Sequence, residues 1–335
     1  YKEKCTKHEA ILKAQDFIGL PNPTPQPKPE RTAPSTEERA AFLNKMFTYF
    51  KNAVSNSKPA QEYLQIRKLD FTKIEVGYNS GQFHHGQRKD ETLIRQCLEV
   101  GLLSESSSIA RTGEPAYNVF GKCCIVFALR NKQNQITGLY FRSTINDKDQ
   151  RHFYLKERSG LYPAYPKPET KKMILTEAII DAATLLQIPE ITASYEILSC
   201  FGTNGLTEEH RAAIKELKGL KEIILFYDGD KAGSEAIKHH AETLHQIKPT
   251  VKLSYIETPE NEDINSLWQG HEPELFTHLI ESRKVFSFSI EKPTEKKTTS
   301  SELASFLDTT NPEQIIYESE TLKVTIWGGI EKENL

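Results

Sequence analysis

Short apolar runs alternate with amphipathic stretches along residues 171–283. The runs have the length of strands, and the stretches between them have helical periodicity. The runs span residues 173–176, 197–201, 222–227 and 251–256, and the helical stretches span 179–186, 207–217 and 232–245. Strands that alternate with helices require crossovers, so we predict an α/β domain with a Rossmann-like parallel sheet. Sites in such sheets lie at the carboxyl ends of the strands.

Residues 36–170 predict a mixed α+β subdomain in front of that sheet. Ser35 and Glu38 form a capping box, and helical patterns follow at 40–54 and 59–69. Between residues 117 and 154 the pattern changes to short strands separated by polar turns. We expect an antiparallel sheet segment there.

The remaining segments predict linkers and parts of other modules. Prolines alternate with polar residues between Pro21 and Pro29, as in a stiff polyproline-like spacer. Because the chain starts within a helical pattern, we expect it to be a piece of a longer protein. The predicted segments are the end of a helical segment at 1–20, a proline-rich linker at 21–35, the α+β subdomain at 36–170, the parallel-sheet domain at 171–283, a polar linker at 284–312 and the start of an incomplete domain at 313–335.

Charge and composition limit the classes of partner and cofactor. A formal net charge of −3 and a pI near 6.4 argue against nucleic-acid binding through overall positive charge, so such a site must be a local patch. The five cysteines lack metal-binding spacing, so we expect no structural zinc within this chain. No apolar run approaches the roughly 20 residues of a membrane span, so we predict a cytoplasmic protein without a membrane partner.

Acidic residues follow the predicted parallel strands. Glu177 follows the first strand, Asp228 and Asp230 follow the third, and Asp263 lies in the loop after the fourth. With a glycine between them, Asp228 and Asp230 can direct both carboxylates to the same side of an extended chain. Carboxylates are hard ligands suited to Mg²⁺ or Mn²⁺, and they would repel one another without a cation. A surface turn is the open alternative, because Asp-Gly is a common turn sequence.

Two segments resemble motifs of the TOPRIM domain that bacterial primases, topoisomerases and some nucleases share. Residues 176–181, Thr-Glu-Ala-Ile-Ile-Asp, resemble its first motif, a strand that ends in glutamate. Residues 225–233, Leu-Phe-Tyr-Asp-Gly-Asp-Lys-Ala-Gly, resemble its second motif in the Asp-Gly-Asp-x-Ala-Gly form typical of primases. Weaker matches from about residue 36 to residue 283 follow the order of a DnaG-type RNA-polymerase core.

This resemblance implies a DNA primase, which makes short RNA primers on single-stranded DNA by metal-dependent nucleotidyl transfer. It implies Glu177, Asp228 and Asp230 as catalytic metal ligands and Asp263 as a further ligand. Asp181 either supports the metal ligands from behind or caps or solvates its helix. The implied cofactor is Mg²⁺ or Mn²⁺, and the implied partners are single-stranded DNA, ribonucleoside triphosphates and a replicative helicase. A zinc ribbon would belong to a module that this chain lacks.

Basic and aromatic residues are interleaved in the strand-rich segment, a composition typical of single-strand grooves. The predicted nucleic-acid or nucleotide contacts are Lys122, Arg142, Arg151, His152, Lys156 and Lys231. A solvated sheet face with core aromatics is the alternative. We expect the histidine pairs His84-His85 and His239-His240 to lie at the surface.

Departures from the family pattern keep other functions open. Ala178 stands where the first motif usually has glycine, and the acidic pair after the fourth strand is Asp263 and Asn265, so the second metal position is uncertain. A TOPRIM nuclease or topoisomerase would use the same acids, although the nucleophilic tyrosine domain of a topoisomerase is not identifiable. A catalytically degenerate DNA-binding accessory protein is the non-enzymatic alternative.

Overall fold

The computed structural model describes residues 35–85, 90–109, 115–145 and 152–288, together with three strands beyond them. The helices are α1 (Thr36–Val54), α2 (Lys58–Ile66), α3 (Glu91–Val100), α4 (Ile179–Leu185), α5 (Pro189–Thr192), α6 (Glu208–Glu216), α7 (Lys231–Ile247), α8 (Ile264–Gly270) and α9 (Pro273–Glu281). The strands are β1 (Gly77–Asn79), β2 (Leu103–Ile109), β3 (Pro115–Val119), β4 (Cys124–Arg130), β5 (Ile136–Ser143), β6 (His152–Tyr154), β7 (Lys172–Thr176), β8 (Glu196–Ser199), β9 (Glu222–Phe226), β10 (Lys252–Tyr255), β11 (Lys284–Val285), β12 (Leu307–Asn311), β13 (Gln314–Glu318) and β14 (Lys323–Trp327).

An antiparallel sheet is built from strands β1, β4, β5 and β6 in that spatial order. Successive side chains of a strand point to opposite faces, and both faces of this sheet are covered. Val126 and Phe141 pack with residues of α1 and α3 on one face. Phe127 and Tyr140 belong to a second hydrophobic cluster on the other face. Burial on both faces explains why β4 is apolar along almost its whole length.

A second sheet contains strands β11, β10, β9, β7 and β8 in that spatial order. Strands β10, β9, β7 and β8 are parallel, and the short β11 is antiparallel at the edge. Ile174 of β7 stands between Ile197 and Ile224 in register. All residues of β9 are buried, as expected for a central parallel strand. The predicted α/β class, with a Rossmann-like sheet after an α+β region, is confirmed.

One hydrophobic cluster contains residues from both sheets. It includes Leu64 of α2, Phe127 of β4, Ile174 of β7 and Ile224 of β9. The described residues up to Phe286 accordingly form one compact unit. Separating the two sheets would expose this apolar surface to water, which is unfavourable. The shared core therefore holds residues of one sheet in fixed positions beside the other.

Strands β12, β13 and β14 form a three-stranded antiparallel meander in a second unit. The helical segment predicted at 1–20 and nearly all of the proline-rich linker at 21–35 lie outside the described residues. Within the described part of the chain, no helix has the length and apolar character needed to cross a membrane.

Candidate active site

Two neighbouring strands of the parallel sheet end in carboxylates. Glu177 immediately follows β7, and Asp228 lies two residues after β9. Because β7 and β9 are paired and parallel, their carboxyl ends meet at one edge of the sheet. The backbone amide of Asp228 lies against the Glu177 carboxylate. We call the edge that carries Glu177, Asp228, Asp230 and Asp263 the acidic edge.

The glycine between the two aspartates lets another loop approach them. A Cβ atom at Gly229 would lie 1.9 Å from the carbonyl oxygen of Pro259, so a larger residue would displace that loop. The Gly229 amide donates to the Glu262 carbonyl oxygen at 2.8 Å, and the Asn261 amide donates to the Gly229 carbonyl oxygen at 3.1 Å. These bonds hold the segment that leads to Asp263 against the Asp-Gly-Asp turn.

Asp230 and Asp263 each begin a helix. Oδ1 of Asp230 accepts from the Gly233 amide at 2.6 Å at the start of α7. Oδ1 of Asp263 accepts from the Ser266 amide at 2.6 Å at the start of α8. A Cβ atom at Gly233 would lie 2.3 Å from the Asp228 carbonyl oxygen, so this first turn needs glycine. Capping therefore orients both carboxylates through one oxygen each.

Burial and mutual repulsion raise the pKa values of the two central carboxyl groups, those of Glu177 and Asp228. Burial raises the pKa of Glu177 to about 7, and the charges of Asp228 and Asp230 contribute. Burial also raises the pKa of Asp228 to about 6, with contributions from Asp263 and Asp230. Glu177 Oε2 and Asp228 Oδ1 are buried and have no hydrogen-bond partner among the described residues. Buried oxygens without donors are unfavourable, and a cation would satisfy both.

The donor chemistry of the acidic edge fits Mg²⁺ or Mn²⁺. Both ions take hard oxygen ligands, and the orphaned oxygens of Glu177 and Asp228 offer two of them. Across the described ranges, no group of three or more His, Cys, Asp or Glu side chains is close enough together to hold a metal ion as it stands. An open set of ligands is compatible with Mg²⁺, which keeps several waters and usually takes one or two carboxylates.

Asp181 lies behind the acidic edge in α4 and is only 3% exposed. Its Oδ1 accepts from the Asn265 amide at 3.3 Å. Burial, together with the charges of Asp263 and Asp228, raises the pKa of Asp181 well above its ordinary value. The alternative of a solvated helix residue is therefore wrong, and the position fits a support for the ligands in front of it.

Asn265 is fully buried and points into the protein. Its Nδ2 donates to the Arg67 carbonyl oxygen and to Thr184 Oγ1, each at 2.9 Å. Its Oδ1 accepts from Arg67 Nη1 at 3.0 Å. These bonds attach the residues after α2 to α4 and α8. Asp263 is thus the member of the Asp263 and Asn265 pair that remains at the acidic edge.

The predicted basic residues are divided between different surfaces. Arg142 pairs with His152 in register, on the face of the antiparallel sheet that carries Tyr140. Burial and the Arg142 charge lower the pKa of His152, which stacks near Tyr140 with ring centroids 6.0 Å apart. His152 therefore offers a ring surface beside Tyr140. Lys156 lies elsewhere, in a cleft with Arg39 beside α3.

The other predicted cations are also dispersed. The Lys122 side chain packs against Gly81 at the turn before β4. Lys231 is 91% exposed at the start of α7, next to Asp230, with its Nζ 3.8 Å from Glu235. Arg151 lies outside the described residues. Lys231 thus directly follows Asp230 of the acidic edge in the sequence, whereas Lys122 lies in the turn that leads into the antiparallel sheet.

The prediction that both histidine pairs are exposed is wrong for His84 and His240, which are buried. His240 Nδ1 lies 2.7 Å from the hydroxyl of Tyr227, the residue before Asp228. This contact fixes the end of β9 from the interior. The apolar stripe of α7 contains position 240 at helical spacing, so periodicity could have revealed its burial.

Sequence patterns did not assign Arg67 or Phe201 to the site, and they placed Arg158 only among the basic residues of the strand-rich segment. Arg67 reaches Asn265, as described above. The Arg158 guanidinium lies over Phe201, which is in the turn after β8. Arg158 is one of many cations in its segment, and its contact with Phe201 depends on the packing of the two sheets.

Similarity to known proteins agrees with this architecture. The sequence model of a family described as Toprim-like matches residues 174–268. The DNA primase of Haemophilus influenzae is 24% identical over 281 residues, which cover 78% of this chain and 44% of the relative. The DNA primase of Helicobacter pylori strain 26695 is 26% identical over 294 residues, which cover 79% of this chain and 49% of the relative. The chain thus spans about half the length of these relatives or somewhat less.

Solved structures share the fold at low sequence identity. The Aquifex aeolicus primase structure with zinc-binding and RNA-polymerase domains has a TM-score of 0.56 and 19% identity, covering 83% of this chain and 68% of that one. A DnaG primase catalytic domain bound to single-stranded DNA has a TM-score of 0.58 and 19% identity, covering 74% of this chain and 79% of that one. The chain therefore has the architecture of a DnaG-like bacterial primase catalytic core and carries a Toprim-like domain.

Proposed function

We propose that this chain is the catalytic core of a DNA primase that synthesises short RNA primers on single-stranded DNA. The observation that carries the proposal is the pair of buried, unpartnered carboxylate oxygens of Glu177 and Asp228 at adjacent strand ends. Two acids that burial and repulsion hold at raised pKa values are a common feature of functional sites. In a fold shared with DnaG catalytic domains, that feature supports nucleotidyl transfer.

In the proposed reaction, Glu177, Asp228 and Asp230 would hold Mg²⁺ or Mn²⁺, and Asp263 would be a further ligand. When bound, such ions make a ribose hydroxyl more acidic and neutralise charge that develops on the phosphate. The chain's own contribution is to orient the ligands. The caps of α7 and α8 fix Asp230 and Asp263, and the Gly229 contacts hold the two loops together. Asp181 and Asn265 support the acidic edge from the interior.

The proposed ligands are a single-stranded DNA template and ribonucleoside triphosphates. Arg142 and the rings beside it supply charge and stacking surface on the sheet face that carries Tyr140. Lys231 lies next to Asp230 at the start of α7, and its side chain is 91% exposed, so it can exchange its contact with Glu235 for phosphate oxygens. The proposal also includes a replicative helicase as a partner. It also places the reaction in the cytoplasm, where template and nucleotides occur together.

The test is de novo RNA synthesis on single-stranded DNA with ribonucleotides and Mg²⁺, resolved on a gel. We expect Asp228→Asn to lower synthesis by at least about a hundredfold, because the site loses a ligand charge while keeping its volume. Asp90→Asn is the matched control, since it removes the same charge at the exposed cap of α3 and asparagine caps a helix equally well.

Three outcomes would contradict the proposal. Synthesis by Asp228→Asn within about tenfold of the unsubstituted chain would refute the metal assignment. Metal-dependent cleavage of the DNA without synthesis would identify a nuclease. If the chain binds metal but synthesises nothing, even when a primer is supplied, the result would identify an accessory protein.

A further inference from the structure

The hydroxyl group of Tyr227 lies inside the protein between two polar side chains. Tyr227 and Cys200 are fully buried, and His240 is only 2% exposed. The Tyr227 hydroxyl oxygen lies 2.7 Å from His240 Nδ1 and 3.3 Å from Cys200 Sγ. Tyr227 directly follows β9, Cys200 directly follows β8, and His240 belongs to α7. One buried hydroxyl therefore connects three separate elements of the parallel-sheet domain.

The protonation of the two partners decides the direction of these hydrogen bonds. Burial raises the pKa of the Cys200 thiol to about 12 and lowers the pKa of His240 to about 4, so both side chains are uncharged near neutral pH. An imidazole nitrogen without a proton is a much stronger acceptor than a thiol sulfur. The Tyr227 hydroxyl therefore donates to His240 Nδ1 and accepts from the Cys200 thiol, which leaves the His240 proton on Nε2.

Cys200 belongs to the segment that holds Glu177. The Cys200 amide donates to the Thr176 carbonyl oxygen at 2.8 Å, and the Gly202 amide donates to the Glu177 carbonyl oxygen at 3.0 Å. Burial raises the pKa of Tyr227 well above its ordinary value, and the charge of Glu177 contributes, as it does for Cys200. The buried hydroxyl is thus within electrostatic reach of the Glu177 carboxylate. A shift of Tyr227 relative to Cys200 would change the spacing between the ends of β7 and β9.

The backbone of Tyr227 connects it to the rest of the acidic edge. Its carbonyl oxygen accepts from Thr258 Oγ1, in the loop between β10 and α8. Asp228 follows Tyr227 directly, and α7, which carries His240, begins at the capping residue Asp230. Every acid of the acidic edge therefore belongs to a segment that Tyr227 contacts or adjoins.

We infer that the Tyr227 hydroxyl is a positioning group that sets the spacing of the Glu177 and Asp228 carboxylates, and that His240 holds this hydroxyl in place. The inference rests on the proposed function, because the spacing matters for a cation that both carboxylates share. Tyr227 and His240 are buried, so they act through the two carboxylates and not on a ligand. Replacing a side chain that orients metal ligands typically costs about 10- to 100-fold in metal affinity.

The experiment measures the Mn²⁺ affinity of the whole chain by calorimetry. Tyr227→Phe removes only the hydroxyl, and His240→Leu removes its acceptor while keeping an apolar side chain on the buried stripe of α7. We expect each change to weaken Mn²⁺ binding about tenfold. The double variant should bind no more weakly than either single variant, because both changes remove the same hydrogen bond. His240→Asn offers an amide oxygen near the position of Nδ1, so its affinity should stay within about threefold of the unsubstituted chain.

Two matched controls make the same chemical changes away from this contact. Tyr255→Phe removes a hydroxyl from half-buried Tyr255 on the neighbouring strand β10, and His239→Leu changes the exposed histidine beside His240. We expect both controls to leave Mn²⁺ affinity unchanged. An equal loss in either control would overturn the inference. A variant that unfolds at a lower temperature but binds Mn²⁺ normally would also overturn it, since the hydroxyl would then support the fold alone.

Hydrogen exchange of the metal-free chain gives a readout that does not depend on the cation. We expect faster exchange of the Gly202 and Gly229 amides in Tyr227→Phe and His240→Leu, and unchanged exchange in His240→Asn, because these amides bond at the acidic edge. Unchanged exchange in Tyr227→Phe would overturn the inference. If the unsubstituted chain binds no Mn²⁺, the proposed metal site fails, and exchange of the two amides alone then decides whether the hydroxyl positions the strand ends.

Discussion

Replacing Asp228 with asparagine is expected to stabilise the folded protein while it removes activity. The pKa of Asp228 rises from its ordinary value of 3.8 to about 6 through burial and the charges of Asp263 and Asp230. At about 1.36 kcal/mol for each tenfold change in proton affinity, this rise corresponds to about 3 kcal/mol for a fully shielded group. Solvent reaches part of this carboxylate, so we expect about 1–2 kcal/mol.

The sign follows from the direction of the pKa change. Because the folded state holds the Asp228 proton more tightly than the unfolded state, the unfolded chain ionises first as the pH rises. Stability is therefore lost between about pH 4 and pH 6 and stays lost above that range. Asp228→Asn removes this loss, so the variant exceeds the unsubstituted chain near pH 8, and the difference disappears below about pH 4.

Thermal and denaturant unfolding measure this effect directly. A gain of about 1–2 kcal/mol corresponds to a rise in Tm of roughly 2–8 °C for a unit of this size. Added Mg²⁺ should stabilise the unsubstituted chain by mass action and the variant much less. Equal or lower stability of Asp228→Asn near neutral pH, or equal stabilisation of both proteins by Mg²⁺, would refute the reasoning.

Three further predictions concern single residues. Glu222→Gln removes the charge that pairs with Arg283 at 2.8 Å, and we expect a loss of about 2 kcal/mol in denaturant unfolding. Because its partners lower the pKa of Glu222, that difference should vanish as the pH falls through the folded-state pKa, and persistence in acid would contradict it. Asn265→Asp places a second carboxylate beside buried Asp181 and removes two amide donors, so we expect the free energy of unfolding to fall by about 2 kcal/mol. We also expect no gain in Mn²⁺ affinity by calorimetry, and tighter Mn²⁺ binding would refute this. Arg142→Ala should weaken single-stranded DNA binding and lower its salt slope by roughly 0.7 in anisotropy titrations, and an unchanged slope would exclude a phosphate contact.

The placement of Glu177 and Asp228 could be predicted because it depends on local patterns. Apolar runs bounded by polar residues specify buried strands, and parallel pairing brings their carboxyl ends together. The Asp-Gly-Asp sequence likewise specifies a turn that admits a neighbouring loop. These features require no knowledge of which distant residues meet.

Helix α3 has ordinary boundary residues at both ends, although its sequence pattern does not predict it. Asp90 caps its start by accepting the Thr92 amide at 2.8 Å, and Gly101 ends it with a φ of 84°. Both are ordinary boundary residues for a helix. The ten residues between them are half polar, so the helical periodicity of the buried Ile94, Cys97 and Val100 is difficult to recognise from the sequence.

The contacts of Asn265 and Arg158 could not be predicted in this way. Asn265 bonds to Arg67, which is 198 residues away in the sequence, and Arg158 rests on a ring from the other sheet. Such contacts are set by the packing of the two sheets around one core. Neither residue type carries a spacing that would reveal its partner.

The most direct test of the account is template-directed extension of an annealed RNA primer. The chain is given a primer on templates that differ in the first unpaired base, with each ribonucleotide in turn and Mg²⁺. We predict addition of the complementary nucleotide, dependence on Mg²⁺, and loss in Asp228→Asn but not in Asp90→Asn. Addition that ignores the template base, or that survives in Asp228→Asn, would contradict a primase site built on Glu177 and Asp228.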